Sequence, residues 1–212
     1  MKKHGFTLVE LLVVVGIIAI LAGLLTPAVI GAQQQGRITQ AKSDMATILM
    51  ALKGLDGTYG KMLYKDGGKF YIGKKDSNDA WSVDSNKSAK LVGPEQKDAY
   101  YAFIAELSDP SNAHITTLVN RRKIKFLDPK PEYNPGVAYD NANNLPHLWI
   151  DPWGNPYVIL VNIDYTDEIV DPSNTSNRLA AKAVAYSYGP DGASSNADEQ
   201  KDNVCSWKDS WM

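Results

Sequence analysis

A single cysteine, Cys205, stands among 212 residues, so no disulfide can close within the chain and no thiolate cluster can hold zinc. Basic charge is not in excess. The 22 Lys and Arg against 24 Asp and Glu leave a formal net charge of -2, which removes the electrostatic footprint that binding to nucleic acid requires. Histidine is scarce at three residues, and His114 and His147 sit in no nucleophile, zinc or phosphate-loop pattern. The chain is therefore read as working without catalysis. There is no internal repeat and no long low-complexity tract. Apolar residues make up 44% of the chain, but they are unevenly spread, with a dense block in the first thirty positions and an ordinary soluble composition after it.

That block begins behind Lys2, Lys3 and His4. From Leu11 to Ala32 the only polar side chain is Thr26, and at about 1.5 Å per residue this stretch reaches roughly 33 Å, enough for a bilayer core of about 30 Å. The lysines precede it and no comparable basic cluster follows closely, which places the N-terminus in the cytoplasm and the bulk of the chain outside. A cleaved secretory signal has a shorter apolar centre of about 7 to 15 residues and a small-x-small end that Ile30-Gly31-Ala32 meets poorly. An ordinary signal anchor has no use for Glu10, since an ionised carboxylate inside a membrane helix costs at least about 2.5 kcal/mol. A partner is available four residues earlier on the same helical face: if the bond after Gly5 is cut, Phe6 carries a cationic amine. Gly16, Gly23 and Pro27 weaken the helix locally, although membrane helices tolerate such residues.

The run Gly5-Phe6-Thr7-Leu8-Val9-Glu10-Leu11 resembles the leader junction of type IV pilins and type II secretion pseudopilins. The resemblance implies cleavage after Gly5 by a prepilin peptidase, N-methylation of Phe6, and pairing of Glu10 with the N-terminal amine of a neighbouring subunit. It also implies a single-pass protein of the bacterial inner membrane with a periplasmic head. Such a subunit assembles with copies of itself, with other pseudopilins and with an inner-membrane platform into a helical filament that drives protein export. A minor type IV pilin is the alternative within the family, and a membrane-anchored binding or hydrolytic domain the alternative outside it.

Ile38, Ala41, Met45, Ile48, Leu49, Leu52 and Leu55 recur at helical spacing, so the helix is expected to continue to about Leu55 with one apolar face covered by its own head. The expected organisation is a leader over 1–5, a membrane or filament-core helix over 6–32, its amphipathic continuation over 33–55 and an extracytoplasmic head over 56–212. The fold class is α+β, a long N-terminal helix on a small antiparallel sheet in the pilin-like manner. Within the head, Asp66-Gly67-Gly68 separates Lys61–Tyr64 from Lys69–Ile72 and predicts a hairpin or paired turns, with a loop after it to Lys97. A second helix is predicted from about Pro94 to Leu107, with Tyr100, Phe103, Ile104 and Leu107 on one face. A short helix is predicted within His114–Arg122, and Asp128–Pro146 reads as a connection. Tyr157–Ile163 and Ala183–Tyr188 read as strands of one antiparallel sheet, with Asp164–Leu179 as a long hairpin insertion. Trp149, Trp153, Trp207 and Trp211 are expected to fill the core or seal its edge, and Cys205 to be a small buried residue.

Asp191, Asn196, Asp198, Asp202 and Asn203 crowd one glycine-containing loop. Hard oxygen donors at this density suit Ca²⁺, yet the loop lacks the EF-hand register and closing glutamate, and an acidic solvated turn is the alternative. Asp151-Pro152-Trp153-Gly154-Asn155-Pro156-Tyr157, Ser187-Tyr188-Gly189-Pro190-Asp191-Gly192 and Ser206-Trp207 are similar to the head of the major pseudopilins. That resemblance implies a calcium-binding loop with Asp191 as one ligand and the second acidic ligand at Asp202 or Asn203. Asn203 departs from the family in offering a neutral amide. The stretch from 56 to 150 and the insertion after Ile163 are longer than the family leads one to expect.

Overall fold

The computed structural model describes residues 7–72, 80–83, 88–92, 96–108, 118–128, 149–164, 166–192 and 202–207. The chain divides into two compact units, residues 1–39 and 40–212. Helix α1, Leu8–Tyr59, contributes to both and passes through Pro27 without interruption. From Leu8 to Ile30 its large apolar side chains stand exposed, from 46% at Val14 to 85% at Leu8, on every side of the helix. Such a surface has to leave water, and this stretch is long and apolar enough to cross a membrane.

In the second unit α1 becomes one-sided. Ala41, Met45, Ile48, Leu52 and Leu55 of the predicted stripe are buried, while Met50 and Lys53 between them face solvent. The helix ends one turn later than predicted, at Tyr59, where Gly60 adopts a φ of 67° and donates its N–H to the Asp56 carbonyl, the left-handed stop that favours glycine. An ion pair of 2.9 Å between Lys182 and Asp56 ties its last turns to the sheet, and the hydrogen bond to Asp56, followed by the charges of Asp56 and Asp167, raises the lysine's pKa.

The hairpin after α1 consists of β1 (Tyr64–Asp66) and β2 (Lys69–Tyr71), paired Asp66 to Lys69 across Gly67-Gly68. Both glycines have positive φ, as a two-residue hairpin turn demands, so the first arm lies two to three residues later than the sequence reading had it. The main sheet is antiparallel in the order β3-β4-β5-β8-β9, built from β3 (Ser82–Val83), β4 (Ser88–Val92), β5 (Val158–Asn162), β8 (Ala183–Ser187) and β9 (Val204–Cys205). The two predicted strands are its centre. The strand β4 falls where a loop was expected and corrects that reading: Ala89 and Leu91 are buried and its register runs Ser88 to Asn162 through Val92 to Val158.

The sheet is covered on both faces, which is why β5 reads as an unbroken apolar run. Ile159, Val161 and Ala185 point one way, whereas Val158, Leu160, Val184 and Tyr186 join Ile169, Tyr188 and Cys205 in a second cluster flanked by Leu179, Ala181 and Trp207. The insertion supplies part of this cover as the hairpin β6 (Ile169–Val170) and β7 (Arg178–Leu179). Its turn is held by Asp171, whose Oδ1 accepts the N–H (2.8 Å) and hydroxyl (2.6 Å) of Ser173.

Helix α2 spans Lys97–Ser108 and is buried on more than the predicted face, because Ala99, Ala102, Ala105, Glu106 and Ser108 are covered along with Tyr100, Phe103, Ile104 and Leu107. Pro94 lies outside the described residues, as does most of the predicted helix 114–122; its described part, 118–122, is a turn and not a helix. There Asn120 anchors the chain: its side chain accepts from the Tyr59 hydroxyl (2.9 Å) and the Ile124 N–H (2.9 Å) and donates to the carbonyls of Glu106 (3.2 Å) and Ile124 (2.7 Å). The connection 129–148 lies outside the described residues. Trp149 is buried and Cys205 is buried on β9, as expected; Trp153 and Trp207 are half-buried, and Trp211 is not among the described residues.

Candidate functional site: the helix entry and the acidic loop

Gly5 and Phe6 lie outside the described residues, and the site at the helix entry is seen from Thr7 onward. Thr7 is the N-cap. Its N–H (2.8 Å) and its hydroxyl (2.7 Å) both donate to Oε2 of Glu10, and the Glu10 N–H reaches back to the Thr7 hydroxyl at 3.3 Å. This is a capping box, in which the third helical residue and the cap satisfy each other's backbone donors. Sequence reasoning had Glu10 waiting for a neighbour and missed Thr7, although Thr-x-x-Glu before an apolar run is the signature of that box. The hydrogen bonds orient the carboxylate at the polar end of the apolar helix without neutralising it.

The acidic loop begins and ends on neighbouring strands, since Ser187 pairs with Val204 and Tyr186 with Cys205. Gly189 holds a φ of 75°, and a Cβ there would lie 2.4 Å from the Asp202 carbonyl oxygen, so the two ends of the loop touch where no side chain fits. Burial raises the pKa of Asp202, the Asp191 charge raises it further, and the Asp191 N–H opposes both. Among the described residues Asp202 Oδ1 and both amide atoms of Asn203 find no hydrogen-bond partner, although these atoms are buried and Asn203 is only 2% exposed. Asp191 itself is exposed, and Asn196 and Asp198 lie outside the described residues. Among the described residues no three His, Cys, Asp or Glu side chains gather in one place, so an ion here depends on amide, carbonyl and water oxygens beside the two aspartates. The unpartnered oxygens of Asp202 and Asn203 are what such an ion takes up, and in that respect the residues fit Ca²⁺.

The Pro- and Gly-rich turn lies against this loop. Asp151 Oδ1 accepts the N–H groups of Trp153 (3.0 Å) and Asn155 (2.8 Å), and its Oδ2 accepts the Ser187 hydroxyl at 2.5 Å. Burial raises the pKa of Asp151, while the Ser187 hydroxyl and the N–H groups of Asn155, Trp153 and Gly154 lower it.

Residues 1–26 match the family described as the prokaryotic N-terminal methylation motif. Over 160 residues the chain is 45% identical to the type II secretion system core protein G of Pseudomonas aeruginosa, a match that covers 75% of this chain and 74% of that protein. No solved structure matches. A methylation motif at a capped, acid-bearing apolar helix, with an identity of this extent running far into the head, has one reading: the chain belongs to the family of the type II secretion system core protein G, the major pseudopilins.

Proposed function

We propose that this pseudopilin is cut after Gly5, methylated on the Phe6 amine and drawn from the membrane into a filament by pairing of Glu10 with the amine of a neighbouring copy. The observation that carries the reading is the Thr7–Glu10 capping box, which presents a carboxylate with no cationic partner among the described residues at the start of an exposed apolar helix. The subunit waits as a single-pass protein of the bacterial inner membrane, N-terminus inside and head in the periplasm. Other pseudopilins and the assembly platform complete the filament, and its growth drives export; the work is mechanical. The name of the 45% identical relative favours secretion over a pilus role. Deletion is accordingly expected to stop export while twitching and adhesion persist. Gly5 is the small residue at the polar-to-apolar junction, where a peptidase needs close approach to the backbone. Replacing it with a bulky residue should leave full-length precursor in the membrane, as mass spectrometry of the N-terminus reads directly. Trimming at Phe6 in that variant contradicts the assignment.

We further propose that Asp191, Asp202 and Asn203 hold Ca²⁺, with Asp198 and Asn196 in the same loop as further candidates. When bound, the ion supplies only a fixed positive charge; the chain supplies the buried oxygens of Asp202 and Asn203, which have no partner among the described residues. A ligand that binds only the folded state stabilises it by RT ln(1 + [L]/Kd), so the protein in detergent should melt higher in millimolar Ca²⁺ than in chelator. Magnesium should substitute poorly because it demands tight octahedral geometry. Asp191→Ala should remove the calcium-dependent rise and leave the melting point in chelator nearly unchanged. Equal melting of the wild type with and without calcium sinks the metal reading.

A further inference from the structure

Asp151 lies outside the acidic loop and 36 residues before Ser187, yet the two side chains meet where the loop begins. The carboxylate is 3% exposed and spends Oδ1 on its own turn, gathering the N–H groups of Trp153 and Asn155, while the Asp151 N–H donates to the Asn155 carbonyl at 2.8 Å and the Asp151 carbonyl accepts from Gly154 at 3.0 Å. A rigid turn of this kind is a fixed base. Its other oxygen, Oδ2, accepts the hydrogen bond of the Ser187 hydroxyl, which leaves the lone pairs of that hydroxyl to accept the Gly189 N–H at 2.9 Å. Gly189 is the left-handed residue at which an added Cβ would collide with the Asp202 carbonyl, and its own carbonyl accepts the Gly192 N–H at 3.3 Å. Asn155, from the same turn, lies against Gly192, where an added Cβ would come within 3.2 Å of its amide.

We infer that Asp151 is the positioning residue of the acidic loop: through the Ser187 hydroxyl it fixes Gly189, and so sets Asp191 opposite Asp202 and Asn203 before any ion arrives. This builds on the calcium reading above, and it gives the Asp-Pro-Trp-Gly-Asn-Pro turn a task beyond leading into β5. With Gly189 fixed by a covered network, Asp191 and Asp202 meet an ion without first having to be positioned.

The test uses the full chain in detergent micelles with the variants Ser187→Ala, Asp151→Asn and their double. Ser187→Ala removes the relay and leaves the turn's own hydrogen bonds. Asp151→Asn keeps an oxygen for Trp153 and Asn155 but turns a donor toward Ser187. In chelator, amide exchange at Gly189 and Gly192 should rise about tenfold in each single variant, in keeping with loss of one buried hydrogen bond, and no further in the double. Exchange of the paired residues Leu160 and Val184 in the sheet should not change. Calcium affinity by calorimetry should fall about tenfold in the same three proteins, while the melting point in chelator stays within a few degrees of wild type. Wild-type exchange at Gly192 in Ser187→Ala overturns the inference, as does an acceleration spread over Leu160 and Val184, or additive effects in the double. If the wild type binds no calcium, the metal reading falls, and the exchange pattern with its non-additivity still decides the role of Asp151.

Discussion

Glu10→Ala protein should insert into the membrane, lose its leader and fold its head as the wild type does, yet enter filaments at under about one-tenth of the wild-type level, given a carboxylate worth at least about 2.5 kcal/mol in lipid. The head has its own core in residues 40–212, so nothing in its packing depends on Glu10. What the substitution removes locally is one capping box, a matter of about 1 kcal/mol at a helix end. The box permits a sharper test, because a glutamine serves as well as a glutamate at its third position. Glu10→Gln should therefore keep the acceptor for the Thr7 N–H and hydroxyl while losing the charge. If pairing with a neighbour's cationic amine drives assembly, Gln fails as completely as Ala when filaments are counted beside co-expressed wild type. Filaments of normal yield with Gln would mean that capping alone is required and that the proposed charge pairing is wrong.

The parts of this fold that sequence revealed are those whose pattern is local. The stripe from Ala41 to Leu55 repeats at helical spacing, and β5 and β8 are apolar runs bounded by Pro156 and Gly189, so each could be placed without knowing its neighbours. Strand β4 carries Ser88 and Lys90 and owes its existence to a partner about seventy residues downstream in sequence. Its pattern alone is too short to separate from a loop, because the pairing energy is non-local. Thr7 was legible and went unread. In the acidic loop the residue types singled out Asp191 and Asp202, which the fold sets near one another, but the support beneath them was hidden. Nothing in Asp151 or Ser187 as residue types announces that they meet across 36 positions.

Glu106 was invisible for the opposite reason, since a glutamate in a helix is expected on the solvent side and here it is fully buried. Its Oε1 accepts the Asn120 N–H at 2.8 Å, and its Oε2 has no partner among the described residues. Burial pushes the pKa of its carboxyl from the ordinary 4.5 up to about 7, against the opposing pull of the Asn120 and Val119 N–H groups. With the folded value above the unfolded one, the native state binds the proton more tightly, so this group's contribution is fully present below about pH 4.5 and is lost as pH rises to about 7. Integrated over that window the loss is about 3 kcal/mol, or roughly 6 to 12 °C in Tm for a unit of this size. Asp151 and Asp202, also raised by burial, bend the curve in the same direction, so the test is a difference between proteins. Glu106→Gln keeps an oxygen for the Asn120 N–H and cannot ionise; its melting point should fall much less than the wild type's between pH 4.5 and pH 7.5. The Asn120 side chain, which holds Tyr59 and Ile124 to the same place, should stay ordered in that variant, as its amide exchange reads. A wild-type slope in Glu106→Gln would mean that the carboxyl is ionised in the fold throughout this range and that its buried oxygen finds a donor beyond those seen around it.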